Sequence, residues 1–219
     1  EVNVSETWLT FTPDNWNVPR EVTLFGLDDS PPMVDGNQTA TVTVAVNDAF
    51  SGALWHSVPD QVLTVINLDD DTAGFALSKT TADVSENGTA NTFTIVLTAQ
   101  PLSNVVFDIA SSNTLEVVVS PAQYTFAPGN WNVPQLVTVT GLNDNPATVD
   151  GPQTVTVTVA VNDGSSDEAW DPLLDQTVTV TNQDNDSPGL VLSKTTAAVS
   201  EDGTTDMFTV ALPARPLST

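Results

Sequence analysis

The sequence predicts an all-β protein that consists of tandem, antiparallel, seven-stranded β-sandwich repeats of about 115 residues. The first observation is an internal duplication: FTPDNWNVP at 11–19 returns as FAPGNWNVP at 126–134, and LSKTTA at 77–82 returns at 192–197, each 115 positions later. The second is a hydrophobic period of two, and the third is the regular spacing of Pro, Gly, Asn and Asp between short apolar segments. Tandem copies are typical of proteins that provide length, multivalency or surface coverage.

The strands of the complete central repeat follow from the alternation of small polar and β-branched residues. The alternation is clearest in TVTVTVAVN at 154–162 and QTVTVT at 176–181, where Val would face a core and Thr would face water. Pro121 predicts a break in the fourth strand, because proline cannot donate a ladder hydrogen bond. The fifth strand begins at the segment PQLVTVT. In chain order the predicted strands span 75–84, 92–98, 104–111, 115–126, 134–141, 153–162 and 176–182.

The domain boundaries are predicted where the composition changes most sharply, at DDDTAG (69–74) and DNDSPG (184–189). Residues 1–70 are then the C-terminal part of one repeat, 71–185 a complete repeat, and 186–219 the N-terminal part of a following repeat. Partial repeats of this kind have bare strand edges unless another chain fills them.

The charge balance restricts the classes of partner. Asp and Glu total 28 against 4 Lys and Arg, which gives a formal net charge of -24. Nucleic acid binding requires clustered basic residues, so it is not expected. No run of about 18 apolar residues is present, so membrane insertion is not expected either. A chain this acidic is expected to attract cations.

The acidic loops are predicted to meet at one end of each sandwich, because consecutive antiparallel strands alternate in direction. Two carboxylates about 4 Å apart repel by roughly 4 kcal/mol at an effective dielectric near 20, so such a cluster needs a counter-ion. Calcium prefers six to eight oxygen ligands, whereas no Cys and one His leave zinc, copper and iron short of ligands. The alternative is that these residues only form turns. The predicted calcium ligands are Glu86, Asp144, Asp150, Asp184 and Asp186, and, in the first copy, Asp28, Asp29, Asp35, Asp69, Asp70 and Asp71.

An enzyme is not expected, because the only histidine, His56, is replaced by Asp171 in the next copy. The recurring Trp55 and Trp170 are predicted in a loop at the opposite end from the acidic loops. Two interpretations stay open for them: stacking on a glycan, and packing in the core or against a neighbouring domain.

The sequence resembles the Calx-beta family, whose members occur in tandem in large bacterial surface proteins. The resemblance rests on VSENG at 84–88, GLND at 141–144, and the Asp run 69–71 followed by Gly74. It implies an immunoglobulin-like sandwich, an extracellular location, and calcium binding by Glu86, Asp144, Asp184, Asp186, Asp28, Asp29, Asp69, Asp70 and Asp71. Asn143, Asn145 and Asn185 depart from a full acidic pattern, which implies fewer ions or weaker binding.

The predicted function is therefore that of a calcium-binding structural repeat of a bacterial adhesin-like protein, secreted or on the cell surface. It would act as a spacer or scaffold stiffened by calcium, with neighbouring repeats or other copies of itself as partners. One alternative is a self-assembling filament or surface-layer subunit, joined through its partial repeats by inter-chain strand exchange. A second is a glycan-binding adhesin module.

Overall fold

The computed structural model describes residues 1–218 and contains short β-strands, two 3₁₀ turns and, in that range, no α-helix. The chain forms two compact units. Unit 1 consists of Glu1–Ala73 with Ala99–Leu102, and unit 2 consists of Gly74–Thr98 with the residues from Ser103 onward. The division after Ala73 falls close to the boundary predicted at residue 70. The predicted third part, 186–219, is grouped with unit 2, and its last residue lies outside the described range, so the three-part division stays a prediction.

Unit 1 contains two antiparallel strand pairs. These are β1 with β2 and β3 with β4, and the strands span Val2–Val4 (β1), Leu24–Gly26 (β2), Gln38–Val44 (β3) and Gln61–Asn67 (β4). They correspond, 115 positions earlier, to strands in the second half of the complete repeat. Several apolar side chains that are buried in unit 2 are exposed at the matching positions of unit 1: Val44 is 59% exposed, whereas Val159 is fully buried.

Unit 2 contains a β-sandwich of nine strands in two sheets. In chain order they are Phe75–Leu77 (β5), Thr81–Ser85 (β6), Ala90–Leu97 (β7), Val105–Ser111 (β8), Val117–Ser120 (β9), Gln123–Phe126 (β10) and Gln135–Gly141 (β11), then, after the short β12 (Thr148–Val149), Gln153–Val161 (β13) and Gln176–Gln183 (β14). One sheet has the order β10-β8-β13-β14-β6 and the other β5-β7-β11-β9. Within these sheets the pairings are antiparallel except for β6 with β14, which is parallel.

The predicted all-β sandwich class is confirmed, and each of the seven predicted segments contains a strand. Two segments are divided in the structure. The first becomes β5 and β6, which lie in different sheets, and the fourth becomes β9 and β10, which separate at Pro121. The first segment bends at residues 78–80, between β5 and β6, and β6 lies parallel to β14 at the sheet edge.

The core lies between the two sheets. In β13 the Val side chains at 155, 157 and 159 are at most 1% exposed, while Thr154 and Thr156 face solvent, as the period of two predicts. Aromatic rings extend this core: the centroids of Phe75 and Phe107 are 4.7 Å apart, and those of Phe107 and Phe126 are 5.8 Å apart in an edge-to-face arrangement.

Beyond the sandwich, unit 2 has three more short strands, which form two small sheets. Val191–Leu192 (β15) pairs with Val210–Ala211 (β16), and β12 pairs in parallel with Arg215–Pro216 (β17). Among the described residues, no helix has the length and apolar character needed to cross a membrane.

Candidate metal centre

Six carboxylates meet at one end of the unit 2 sandwich. Their positions follow from the alternation of strand directions, since each lies in a loop or strand end on the same side. Glu86 follows β6, Glu116 precedes β9, Asp144 and Asp150 lie between β11 and β13, and Asp184 and Asp186 follow β14. The structure therefore brings together five predicted ligands of the central repeat and adds Glu116.

Two groups of three carboxylates are close enough to hold a metal ion. One contains Glu86, Asp150 and Asp184, and the other contains Glu86, Glu116 and Asp144; in each group one oxygen per residue lies within 4.8 Å of the others. Glu86 belongs to both groups, so its two carboxylate oxygens can serve neighbouring cation positions.

Several carboxylate oxygens at this end are buried without a hydrogen-bond partner among the described residues. They are Glu86 Oε1, Asp144 Oδ2, Asp150 Oδ1 and Asp186 Oδ2. Glu86 as a whole is only 2% exposed. Buried carboxylates are normally hydrogen-bonded, paired with a cation or bound to a metal, because an isolated buried charge is costly. The orphaned oxygens therefore fit a cation as their missing partner.

Backbone hydrogen bonds hold the carboxylate of Asp184 in place. Its Oδ2 accepts hydrogen bonds from the backbone N–H groups of Gly151 (2.7 Å) and Asp150 (3.1 Å), and its Oδ1 accepts one from the N–H of Asp186 (2.6 Å). These backbone donors lower the pKa of Asp184 below its ordinary value of 3.8, because they stabilise the ionised form. The backbone hydrogen bonds therefore favour the ionised form of Asp184, which is the form that binds a cation.

Glu86 and Asp144 are shifted in the opposite direction. Burial raises the pKa of Glu86 above 4.5; the N–H of Asn185, which donates to Oε2 at 3.3 Å, opposes the shift, and neighbouring carboxylates add to it. Burial also raises the pKa of Asp144 above 3.8, and the charge of Asp150 is the next largest cause. Without a cation, the folded protein therefore disfavours full ionisation of this cluster.

Asn182 positions Glu116, and sequence reasoning missed both residues. Asn182 is fully buried in β14, and its Nδ2 donates to Glu116 Oε2 (3.0 Å) and to the carbonyl oxygens of Leu142 (2.9 Å) and Glu116 (3.2 Å). A Cβ at Gly141 would clash with Asn182 Oδ1 and with the carbonyl oxygen of Ser85, so only glycine allows this approach. A signal for Glu116 did exist: it lies at the start of the predicted strand 115–126, and Glu1 matches it 115 positions earlier.

Unit 1 repeats part of this arrangement. A small cavity is lined there by the six predicted ligands of the first copy, together with Glu1 and Asn67; those ligands are Asp28, Asp29, Asp35, Asp69, Asp70 and Asp71. Asp69 accepts from the N–H groups of Gly36 (2.7 Å) and Asp71 (2.8 Å), which matches the role of Asp184.

The two tryptophans differ in their surroundings. Trp170 is fully buried and therefore presents no ring face on which a sugar could stack, which corrects its assignment as a glycan ligand. Its burial agrees with the core-packing interpretation. Trp55, at the matching position in unit 1, is 62% exposed.

Comparisons with known proteins give no family. No protein-family model and no curated protein matches the chain. Solved structures similar to it include SSP-19, an MSP-domain-like protein of Caenorhabditis elegans (TM-score 0.35, 18% identity, 49% of this chain and 97% of that chain). They also include the periplasmic chaperone SfaE (TM-score 0.40, 10% identity, 52% and 58%) and domains 4 and 5 of the S-layer protein SbsC (TM-score 0.33, 18% identity, 57% and 63%). At these scores the likeness carries no functional inference.

Proposed function

We propose that this chain is a calcium-binding structural repeat of an extracellular surface protein, in which calcium fixes the loops at the end of each sandwich. The observation that carries the proposal is Glu86. This carboxylate is 2% exposed, has an oxygen without a hydrogen-bond partner among the described residues, and belongs to both candidate metal groups. Turn formation alone does not account for a buried carboxylate with one oxygen left without a partner among the described residues.

Calcium fits the donor set better than other common metals. The candidate ligands are carboxylate oxygens, and calcium takes six to eight oxygen ligands in flexible geometry. Magnesium demands a near-ideal octahedron and usually keeps several waters, which suits a crowded site of six carboxylates less well. The chain has no cysteine and one histidine, so softer metals lack their preferred ligands.

A spacer or scaffold role is supported by the repetition of both fold and site. An enzyme needs one reactive centre, whereas here the acidic cluster recurs with the 115-residue period. The resemblance to Calx-beta repeats supports an extracellular location and a bacterial source.

Calorimetric titration with calcium tests the proposal, with thermal melts in calcium and in chelator. We expect saturable binding and a higher Tm in calcium for the wild type. Glu86→Gln should bind at least about tenfold more weakly, a loss of about 1.4 kcal/mol. Glu201→Gln is the matched control, because Glu201 is the exposed counterpart of Glu86, and it should bind like the wild type. If the wild type shows no binding heat and no change in Tm, the proposal is wrong and the acidic residues only form turns.

A second candidate function is self-assembly by strand exchange. Its supporting observation is that Phe208, Val210 and Leu212 are each more than half exposed, whereas their counterparts Phe93, Ile95 and Leu97 are buried. The apolar face of unit 1 is exposed in the same way. The exposed face at 208–212 corresponds to the first half of a repeat, and the exposed face of unit 1 corresponds to the second half. A second copy of the chain could therefore cover each face with the half that it lacks.

Sedimentation velocity over a range of protein concentrations tests this second candidate. We expect the mean mass to rise with concentration, and Val210→Asp to reduce the rise. Thr205→Asp is a control on an exposed polar position of the same segment. A constant monomer mass would contradict self-assembly.

A further inference from the structure

The loop between β11 and β13 contains two candidate metal ligands and the short strand β12. Asp144 and Asp150, both candidate ligands, flank β12, and β12 pairs with a segment more than sixty residues further along the chain. We propose that β12 is a docking strand for the segment ARPLS at 214–218, and that cation binding and this docking strengthen each other. This proposal rests on the proposed cation site, and the event that the site would control is the docking of 214–218.

The pairing itself is made by the backbone. Thr148 lies opposite Arg215, Val149 lies opposite Pro216, and the strands are parallel. The N–H of Arg215 donates to the carbonyl oxygen of Ala147 at 2.8 Å.

The same pairing occurs a second time, within unit 1. Met33 and Gln100, which lie 115 positions before Thr148 and Arg215, form a parallel bridge. The N–H of Gln100 donates to the carbonyl oxygen of Pro32 (2.8 Å), and the N–H of Val34 donates to that of Gln100 (3.1 Å). The docked segments read AQPLS at 99–103 and ARPLS at 214–218. Because Gln in one copy replaces Arg in the other, the contact depends on backbone hydrogen bonds and not on the charge of Arg215.

The docking strand is held by the same residues that form the cation site. In unit 2, Asp184 Oδ2 accepts from the N–H groups of Asp150 and Gly151, directly after β12. In unit 1, Asp71 Oδ2 accepts from the N–H of Met33, the docking residue itself, at 2.8 Å. Gly151 has a φ of 77°, a left-handed turn that ends the strand and directs the chain back into β13.

The linkage follows from this arrangement. Asp150 belongs to one candidate cation group and Asp144 to the other, and Glu86 is shared by both. Cations bound in the two groups would restrain the loop at both ends of β12, so less conformational entropy remains to be lost when the partner segment docks. Linkage is reciprocal, so the docked segment must raise cation affinity by the same factor.

Hydrogen–deuterium exchange on the full chain, with and without calcium, tests the linkage. Calcium should slow exchange at 147–151 and also at 214–217, which contains no candidate ligand. Arg215→Pro removes the donated N–H and should lower calcium affinity by about tenfold, within the ~5–150-fold range typical of coupled sites. Arg215→Ala keeps the N–H and should bind calcium like the wild type.

The outcomes separate this inference from the proposed function. If the wild type binds no calcium, the proposed function fails. If the wild type binds calcium but exchange at 214–217 does not change, or Arg215→Pro keeps full affinity, the docking linkage is wrong and the cation site stands. A Tm in chelator equal to that of the wild type shows that Arg215→Pro has left the sandwich folded.

Discussion

At the residue scale, Glu86 illustrates how a single buried charge depends on its partner. Its counterpart Glu201 is exposed, although the two share the local sequence pattern VSE. Burial at the end of the sandwich disfavours the ionised form of Glu86 unless a cation is present. The same side chain therefore links proton binding, metal binding and folding.

Metal-free protein should become more stable as the pH falls from neutral toward 4.5, the ordinary pKa of Glu86. The folded-state pKa values of Glu86 and Asp144 lie above their ordinary values of 4.5 and 3.8, so the folded state binds more protons than the unfolded state as the pH falls through the raised values. Stability is then lost as the pH rises through the raised pKa values. The lowered pKa of Asp184 acts only below 3.8, outside this window. Thermal melts in chelator over this pH range should therefore show a Tm that rises as the pH falls.

Calcium should reverse the sign of this pH dependence, because protons compete with the metal for the same oxygens. Glu86→Gln isolates the contribution of the site from the general charge of the chain: in chelator it should show a smaller gain at pH 5 than the wild type. A pH profile identical in the two proteins would mean that Glu86 is not the group that titrates.

A site residue could be predicted from the sequence where its position follows from the local strand pattern, and not where it depends on tertiary contacts. Glu86, Asp144, Asp150, Asp184 and Asp186 lie in loops whose end of the sandwich follows from strand direction alone. The period of two places Asn182 on the same buried face of β14 as Val178 and Val180, so its burial could have been predicted. Its hydrogen bonds to Glu116 and Leu142 could not, because they depend on tertiary contacts that no local pattern reports.

At the element scale, the strands were predictable because period-two alternation is a direct result of burying one face of a sheet. The crossing of the first segment from one sheet to the other was not predicted. Residues 75–84 show no break in strand-forming character, and the crossing is decided by which partner each half finds: β7 for β5 and β14 for β6.

Gly141→Ala should destabilise unit 2 and weaken calcium binding together. The added methyl group would clash with the carbonyl oxygen of Ser85, next to Glu86, and with Asn182, which holds Glu116. Overpacking of this kind costs about 1–3 kcal/mol. Thermal melts in chelator and calcium titration measure the two effects.

Gly129→Ala is the matched control for this substitution, because a Cβ there meets nothing within 4 Å. It should change stability by no more than about 0.5 kcal/mol. Equal melting temperatures for the two variants would show that β11 can move away from Ser85 without cost.

At the scale of the whole molecule, a net charge of -24 on 219 residues makes repulsion a general feature of the folded state. In chelator, raising NaCl from about 0.01 M to 0.15 M should raise the Tm, because the screening length falls from ~30 Å to ~8 Å. Calcium should produce a larger rise at the same ionic strength, since it binds a defined site. Equal shifts in calcium and in NaCl at matched ionic strength would indicate screening alone.

The parallel pairing of β6 with β14 has a mechanical consequence. These are an entry strand and the exit strand of the repeat, and five residue pairs join them from Thr81–Thr179 to Ser85–Gln183. A pulling force on the two ends of the repeat would load these hydrogen bonds in shear, all at once, whereas an antiparallel pair would open one bond at a time. Single-molecule stretching should therefore show an abrupt, high-force rupture of unit 2, and Val84→Pro, which removes a β6 donor, should lower that force. A repeat joined in this way resists extension along the direction in which a surface protein is pulled.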